Sequence, residues 1–338
     1  MASLLEARTP GFNPYSVKYS PYYDSRLAVA SSSNYGIVGN GRLFILGLGP
    51  QGIQIEKTYD TNDAQYDLAW SEINENQCAV ACGDGSIKLF DLNVPDFPVM
   101  NFHEHKRETF SVCWNPVTKD TFLSSSWDGT IKIWSPTRPS SLKTLPVGNC
   151  TYSASFSPHN PSLISSVSSD SHLRLFDLRT PVNAKYHLVA TIPIHSPPQI
   201  PGSTILPRLA NGTTYAGTIP SEVLTHDWNK YSDTVIATGG FAVRKLQWSP
   251  HARDVLCSAG YDMTVRVWSD GSALPPQMAG AGPGENVIRC GQELGLMNRH
   301  TEFATGVDWC LFGTGGWVAS VGWDERVLVW DAHTLLRR

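Results

Sequence analysis

Five stretches of the chain repeat one order of apolar and polar positions without gaps: AVACGDGSIKLF (79–90), LSSSWDGTIKIW (123–134), SSVSSDSHLRLF (165–176), CSAGYDMTVRVW (257–268) and ASVGWDERVLVW (319–330). Each reads as a short apolar strand, a tight turn carrying an aspartate, and a second strand in which apolar and basic residues alternate. The turn aspartate stands six residues before the closing aromatic in every copy, as Asp84, Asp128, Asp170, Asp262 and Asp324. A further strand precedes each unit and ends on an aromatic, then usually Ser or Asn and often Pro. It occurs seven times: VKYSP (17–21), LAWSE (68–72), VCWNP (112–116), ASFSP (154–158), HDWNK (226–230), LQWSP (246–250) and VDWCL (307–311).

From Trp70 to Trp114 to Phe156 the period is 44 and then 42 residues. A repeat of that length closing on Phe90-Asp91, Phe176-Asp177 or Trp330-Asp331 resembles the WD-repeat family. The expected fold is therefore all-β, a seven-bladed WD-repeat β-propeller forming one domain over residues 1–338. A single four-stranded blade cannot bury both of its faces; radial stacking buries them and leaves only short edges. The last blade runs out of chain after a third strand near Trp330, so Leu4–Arg8 is expected to supply its fourth strand and close the ring.

Composition narrows the function classes. Charged residues are 17% and aromatics 10%, which suits a globular chain. The formal net charge of −4 gives no reason to expect nucleic acid and mildly favours a basic ligand. No run of 18 apolar residues occurs and the opening MASLLEARTPGF lacks a secretory pattern, so a cytosolic protein with no direct membrane insertion is expected. The cysteines are scattered, with Cys78 and Cys82 on one face of a strand, and read as reduced core thiols.

Three patterns invite chemistry. His105, Ser124 and Asp128, and again His300, Ser320 and Asp324, contain the residue types of a hydrolase triad. They recur at repeat spacing beside Trp134 and Trp330, and no G-x-S-x-G is present, so a hydrogen-bond network inside each blade is expected and an enzyme is not. Gly47, Gly49 and Gly52 match G-x-G-x-x-G, but IQIEKTY after them alternates as a strand, so a hairpin turn is expected in place of a dinucleotide site. His103-x-His105 has no further ligand at useful spacing; neither metal nor cofactor is expected.

Loops before the first strand of a blade and between its second and third strands emerge on one face. Asp63, Glu108, Glu222 and Glu302 fall in the first kind of loop, and Trp127, Tyr261 and Trp323 directly before the turn aspartates. Carboxylates interleaved with aromatics suit a helix that is apolar on one face and basic at its edge, and these seven residues are the candidate peptide-binding set.

The stretches YSVKYSPYYDSRLAVASSSNYGIVGNGRLFIL (15–46), YDTNDAQYDLAWSE (59–72), SSSWDGTIKIW (124–134), SEVLTHDWNKY (221–231) and AVRKLQWSPH (242–251) closely resemble the peroxin-7 family, the receptors for the type 2 peroxisomal targeting signal. That resemblance implies a cytosolic import receptor shuttling to the peroxisome matrix. Its implied partners are targeting-signal peptides of matrix enzymes, a co-receptor and docking proteins. The signal in that family is Arg or Lys, an aliphatic residue, five free residues, then His or Gln and Leu or Ala. A separation of seven puts both pairs on one helical face. The competing expectation is a WD-repeat scaffold subunit of a ubiquitin-ligase or other multiprotein complex.

One repeat departs from the pattern. Trp228 and Trp248 are only 20 residues apart, and VIATGG (235–240) runs into the next blade without a turn aspartate or third strand. Blade 5, at about 222–240, is expected to hold two strands, near 222–228 and 234–238, and to lack its outer two. The proline-rich stretch 195–221 and the Gly-, Ala- and Pro-rich stretch 269–289 read as long loops.

Overall fold

The computed structural model describes residues 4–33, 39–181, 183–195, 221–273 and 291–335; most of the two long loops lies outside them. The described chain is almost entirely strand. β1 (Leu4–Arg8) belongs to the last blade. Blade 1 holds β2 (Asn13–Tyr19), β3 (Arg26–Ser33), β4 (Asn40–Gly49) and β5 (Gly52–Thr61). Blade 2 holds β6 (Gln65–Trp70), β7 (Gln77–Cys82), β8 (Ser86–Asp91) and β9 (Met100–His103). Blade 3 holds β10 (Thr109–Trp114), β11 (Phe122–Ser126), β12 (Thr130–Trp134) and β13 (Lys143–Pro146), and blade 4 holds β14 (Thr151–Phe156), β15 (Leu163–Ser168), β16 (His172–Asp177) and β17 (Leu188–Pro193). Among the described residues, blade 5 consists of β18 (Val223–Trp228) and β19 (Ile236–Gly240). Blade 6 holds β20 (Val243–Trp248), β21 (Val255–Gly260), β22 (Val265–Ser269) and β23 (Gln292–Met297), and blade 7 holds β24 (Ala304–Trp309), β25 (Trp317–Gly322) and β26 (Arg326–Asp331). The sheets of blades 1–6 are antiparallel and in sequence order. Each first strand packs beside the first strand of the next blade, and β24 returns to β2, so the sheets form a closed seven-bladed propeller.

Blade 7 is completed from the other end of the chain. β1 pairs antiparallel with β26 over Leu4–Arg8 and Arg326–Trp330, in the register Leu4 to Trp330 and Arg8 to Arg326. The glycines at 47, 49 and 52 form the β4–β5 hairpin, with Gly49 opposite Gly52. Gly52 has φ near +101°, a conformation that strongly favours glycine.

The core lies between blades. Ala79, Ala81, Ile87, Leu89 and Phe102 of blade 2 meet Val112, Trp114, Phe122 and Trp134 of blade 3, all buried. At blade 5 this packing thins. Among the described residues its cluster with blade 4 contains three buried apolar side chains, Val167, Leu173 and Val223. Its second strand begins at Ile236, two residues later than the pattern suggests, after a turn in which the Val235 carbonyl accepts the Asn229 N–H. No strand among the described residues pairs with the far edge of β19. Only Phe241 and Ala242 separate it from β20. Gly239 is needed where the blades approach, since a Cβ there would lie 2.8 Å from both Thr225 and Val243.

Polar groups near the axis tie blades together. Asp308 accepts the Tyr19 N–H at 2.8 Å, Asp67 accepts the Val112 N–H at 3.3 Å and the Ser16 hydroxyl at 2.7 Å, and Asp227 accepts the Trp248 N–H at 2.7 Å. Each carboxylate also faces an ammonium: Lys18 lies 3.2 Å from Asp308, Lys245 3.5 Å from Asp67 and Lys230 2.8 Å from Asp227. The indoles of Trp70, Trp248 and Trp309 donate to carbonyls of the preceding blade. In blade 5 the buried Trp228 indole N–H has no acceptor. The blade is held instead by His226, whose Nε2 lies 3.0 and 2.7 Å from the Ser155 and Ser165 hydroxyls, and whose imidazole burial pushes down to a pKa of about 4.

Candidate peptide-binding face

The repeated Ser, His and Asp sets are built into blades 3 and 7. In blade 3 the Trp134 indole donates to Ser124 Oγ at 2.8 Å, Ser124 Oγ lies 2.8 Å from His105 Nε2, and His105 Nδ1 lies 3.0 Å from Asp128. The order that satisfies each partner runs Trp134, Ser124, His105, Asp128, each donating to the next. Blade 7 repeats it with Trp330, Ser320, His300 and Asp324 at 3.1, 3.0 and 3.1 Å. Burial works against the Asp128 carboxylate, but hydrogen bonds from His105, Thr130 and the Lys106 N–H outweigh it and hold its pKa far below the usual value. Asp324 is depressed in the same way by His300 and the Thr301 N–H. Both serines are fully buried, so neither faces a substrate.

The face where these turns emerge is organised by a feature that alternation conceals. All seven first strands slip register at their start, between Pro14 and Ser16, Gln65 and Asp67, Thr109 and Ser111, Thr151 and Ser153, Val223 and Thr225, Val243 and Lys245, and Ala304 and Gly306. The residue inside each bulge always stands four before the closing aromatic. A bulge re-aims its extra side chain, and here all seven reach the channel mouth. Tyr15, Tyr66, Phe110 and Tyr152 come from blades 1–4, and Leu224, Arg244 and Thr305 from blades 5–7. They line a cavity of about 210 Å³ together with Trp127, Glu222, Phe241, Tyr261 and Trp323.

Of the seven residues singled out from sequence, Glu222, Trp127, Tyr261 and Trp323 line this cup. Trp127 stacks on Phe110 at 5.3 Å between centroids and meets the edge of Tyr152 at 6.2 Å. Trp323 contacts Tyr15 at 5.6 Å and Phe303 at 5.4 Å, and Tyr261 contacts Phe303 at 5.0 Å and Phe241 at 6.2 Å. The rings thus form an aromatic arc from Tyr152 through Phe110, Tyr66, Tyr15, Trp323, Phe303 and Tyr261 to Phe241. Glu222 accepts the Tyr152 hydroxyl at 2.9 Å; burial first, and then this carboxylate, pushes the phenol pKa up. The other three carboxylates do not line the cup. Glu108 stands on its rim beside Trp127, whose N–H donates to the Glu108 carbonyl, and faces Arg107 at 3.5 Å. Glu302 is exposed, next to Phe303. The Asp63 carboxylate accepts the Ala64 N–H at 2.7 Å and sits against Gly39 and Gly83, which occupies it between its own loop and the neighbouring turns. Sequence reasoning passed over the bulge residues and Phe241, although the spacing of four before Tyr19, Trp70, Trp114, Phe156, Trp228, Trp248 and Trp309 was available to find the bulges.

Among the described residues, no helix is long and apolar enough to cross a membrane. None of their His, Cys, Asp and Glu residues form a group of three or more placed to hold a metal ion.

Residues 97–135, 140–177 and 229–269 match the family model "WD domain, G-beta repeat". The chain is 37% identical, over an alignment 400 positions long, to the "Peroxisomal targeting signal 2 receptor" of Saccharomyces cerevisiae, with 97% of this chain and 99% of that protein covered. It is 35% identical to the Schizosaccharomyces pombe protein of the same name, covering 97% and 100%, and 30% identical to the Mus musculus one, covering 98% of each. These relatives are named as receptors, and the serines of both Ser–His–Asp sets in this chain are fully buried.

Proposed function

Because the chain belongs to the peroxisomal targeting signal 2 receptor family of WD-repeat proteins, we propose that it binds the N-terminal type 2 signal of peroxisomal matrix proteins in the aromatic cup and carries them from the cytosol to the peroxisome with a co-receptor and docking proteins. The observation that carries this reading is the cup itself: an arc of aromatic rings, with Glu222 inside it and Glu108 on its rim. A helical signal with its aliphatic and basic residues on one face would lay the apolar side chains on the rings and the cations against the carboxylates. Asp63, Glu302, Trp127, Tyr261 and Trp323 complete the proposed contact set, with Asp63 and Glu302 acting from the periphery.

The test is a fluorescence-anisotropy titration of a signal peptide against the parent chain and the Glu108→Lys, Glu222→Lys double variant. Loss of charge-assisted hydrogen bonds weakens binding by about tenfold or more, and raising salt weakens the parent. Equal affinities at low salt would refute the acidic rim. Import of a reporter bearing the signal, in cells carrying this chain as their only such receptor, tests the delivery step; a reporter that stays cytosolic overturns it.

A further inference from the structure

The two flanks that border blade 5 keep apolar side chains that every other blade junction covers. Ile192 of β17 pairs with Leu173 and is 41% exposed, whereas Tyr59, Phe102, Leu145 and Met297, at the same register in blades 1, 2, 3 and 6, are buried. Leu175 of β16 is half-buried, while its counterparts Leu89, Ile133 and Val267 are sealed. On the facing flank of blade 6 the pair Leu256 and Trp268 is half-buried; the matching pairs Phe122 and Trp134 in blade 3, and Val318 and Trp330 in blade 7, are fully covered.

Between these walls runs β19, whose far edge is unpaired among the described residues. The Val235 carbonyl is taken by the Asn229 N–H, so alternation turns the N–H and C=O groups of Ile236 and Thr238 to the far side. His195 reaches the Thr238 hydroxyl at 3.0 Å, a side-chain contact that leaves those backbone groups untouched. Charges along the walls are already met: Arg266 bonds Glu293 at 2.6 Å and Asp262 at 2.9 Å, and Arg179 holds Asp177 at 2.7 Å. An uncharged slot with a strand edge for its floor suits an extended chain, because the edge supplies main-chain hydrogen bonds and the walls take alternate side chains.

We propose that this slot is a second binding site, separate from the cup, which accepts an extended segment of a partner protein as a third strand antiparallel to β19. The chemistry of that segment is read from the chain's own third strands, IKIW (131–134), VRVW (265–268) and VLVW (327–330): two aliphatic residues at alternate positions and then an aromatic. In blade 3, Ile131 and Ile133 face blade 4 while Trp134 faces blade 2. The same arrangement in the slot lays the aliphatic pair on Leu256 and Trp268 and the aromatic against Leu175 and Ile192. Proline within the segment is excluded, since it removes an N–H the edge needs.

The probe is a fluorescent peptide with the sequence of residues 128–146, the outer hairpin of blade 3, titrated by anisotropy into the full chain. Saturable binding is expected, undisturbed by an unlabelled type 2 signal peptide, and lost when the residues matching Ile131 and Ile133 are proline. Ile192→Lys places a charge in the slot and should weaken binding at least tenfold. Thr191→Lys, one residue along and pointing to the other side of β17, should leave it within about twofold. Circular dichroism checks both folds. Hydrogen exchange supplies the second readout: the amides of Ile236 and Thr238 should exchange quickly in the free chain and slow when the hairpin is added. No binding, competition by the signal peptide, or equal weakening by I192K and T191K overturns the site. Amides already protected in the free chain show the edge to be filled from within and overturn it too. A dimer in sedimentation velocity that the hairpin dissociates assigns the slot to a second copy and overturns the partner.

Discussion

Replacing Asp128 by alanine tests whether the repeated His and Asp sets serve stability. The carboxylate is bonded to four groups: His105 Nδ1 at 3.0 Å, the Lys106 N–H at 3.0 Å, the Thr130 N–H at 2.9 Å and the Thr130 hydroxyl at 2.7 Å. Water can replace it at Lys106, which is exposed, and in part at Thr130. It cannot reach the imidazole, whose side chain is wholly buried. The Thr130 hydroxyl, 3.2 Å from Nδ1, remains as a longer acceptor; a poorly satisfied buried donor and the lost charged hydrogen bond together cost about 2–4 kcal/mol. Unfolding entropy of about 2.1 cal/mol/K per residue gives about 0.7 kcal/mol/K for this chain, so Tm should fall by about 3–6 °C. Asp84→Ala is the internal comparison. Its carboxylate is bound by Ser86 and Lys88, is partly open to solvent and touches no buried histidine, so a loss below about 1 kcal/mol is expected. Scanning calorimetry of the three proteins decides. A Tm for D128A equal to that of the parent, or equal losses for the two variants, would refute the argument.

Three further outcomes follow from other features. Asp128 and Asp324 have folded-state pKa values below those of the unfolded chain, so their stabilisation is complete above the unfolded value, near 4, and is lost as pH falls through the folded value; the Tm gap between the parent and Asp128→Asn should therefore close with acidification below about pH 4, and a gap that widens there refutes it. Asp227→Ala leaves the Trp248 N–H unpaired at the thinnest part of the ring, costing about 1–3 kcal/mol, and should expose the Phe241–Ala242 link to limited proteolysis before the other blade junctions; cleavage elsewhere first would count against it. Grafting the two missing outer strands onto β19 should raise Tm and reduce aggregation, because an unpaired strand edge templates association; unchanged values in both measurements would refute that.

The fold was legible because each blade repeats its own instructions. The aromatic closing each first strand, the turn aspartate and the alternation of the third strand recur at one spacing. The shortfall between Trp228 and Trp248 stood out against that period, as did the missing strand of blade 7, supplied by Leu4–Arg8. The cup was harder to read. Strict alternation assigns Tyr66 to the same face as Leu68, which is buried between blades. The bulge between Gln65 and Asp67 cancels that assignment and turns Tyr66 to the axis. A period-two rule has no term for one extra residue, so Tyr15, Phe110, Tyr152 and Arg244 were passed over with it. Trp127, Tyr261 and Trp323 were visible because they stand beside an unmistakable aspartate. Asp63 and Glu222 occupy similar loops in sequence, yet one carboxylate folds onto its own loop and the other enters the cup. That difference arises from contacts no spacing encodes.

The pairing of Leu4–Arg8 with Arg326–Trp330 sets the order of events during synthesis. β1 leaves the ribosome well before β26 and cannot pair with it until blade 7 has emerged, so blades 1–6 must wait with one lateral edge open. The entropic charge for holding so long a loop is modest, since each doubling of length adds only about 0.6 kcal/mol. The delay is a matter of time: a contact spanning nearly the whole chain forms slowly. Throughout that interval the apolar face of blade 1 that blade 7 will cover, with Val17, Leu27, Val29 and Phe44, remains open to chaperones or to a neighbouring nascent chain. The vulnerable moment for this protein is therefore its birth, and expression at lower temperature or with added chaperones should improve the yield of closed rings more than any change made at the binding face.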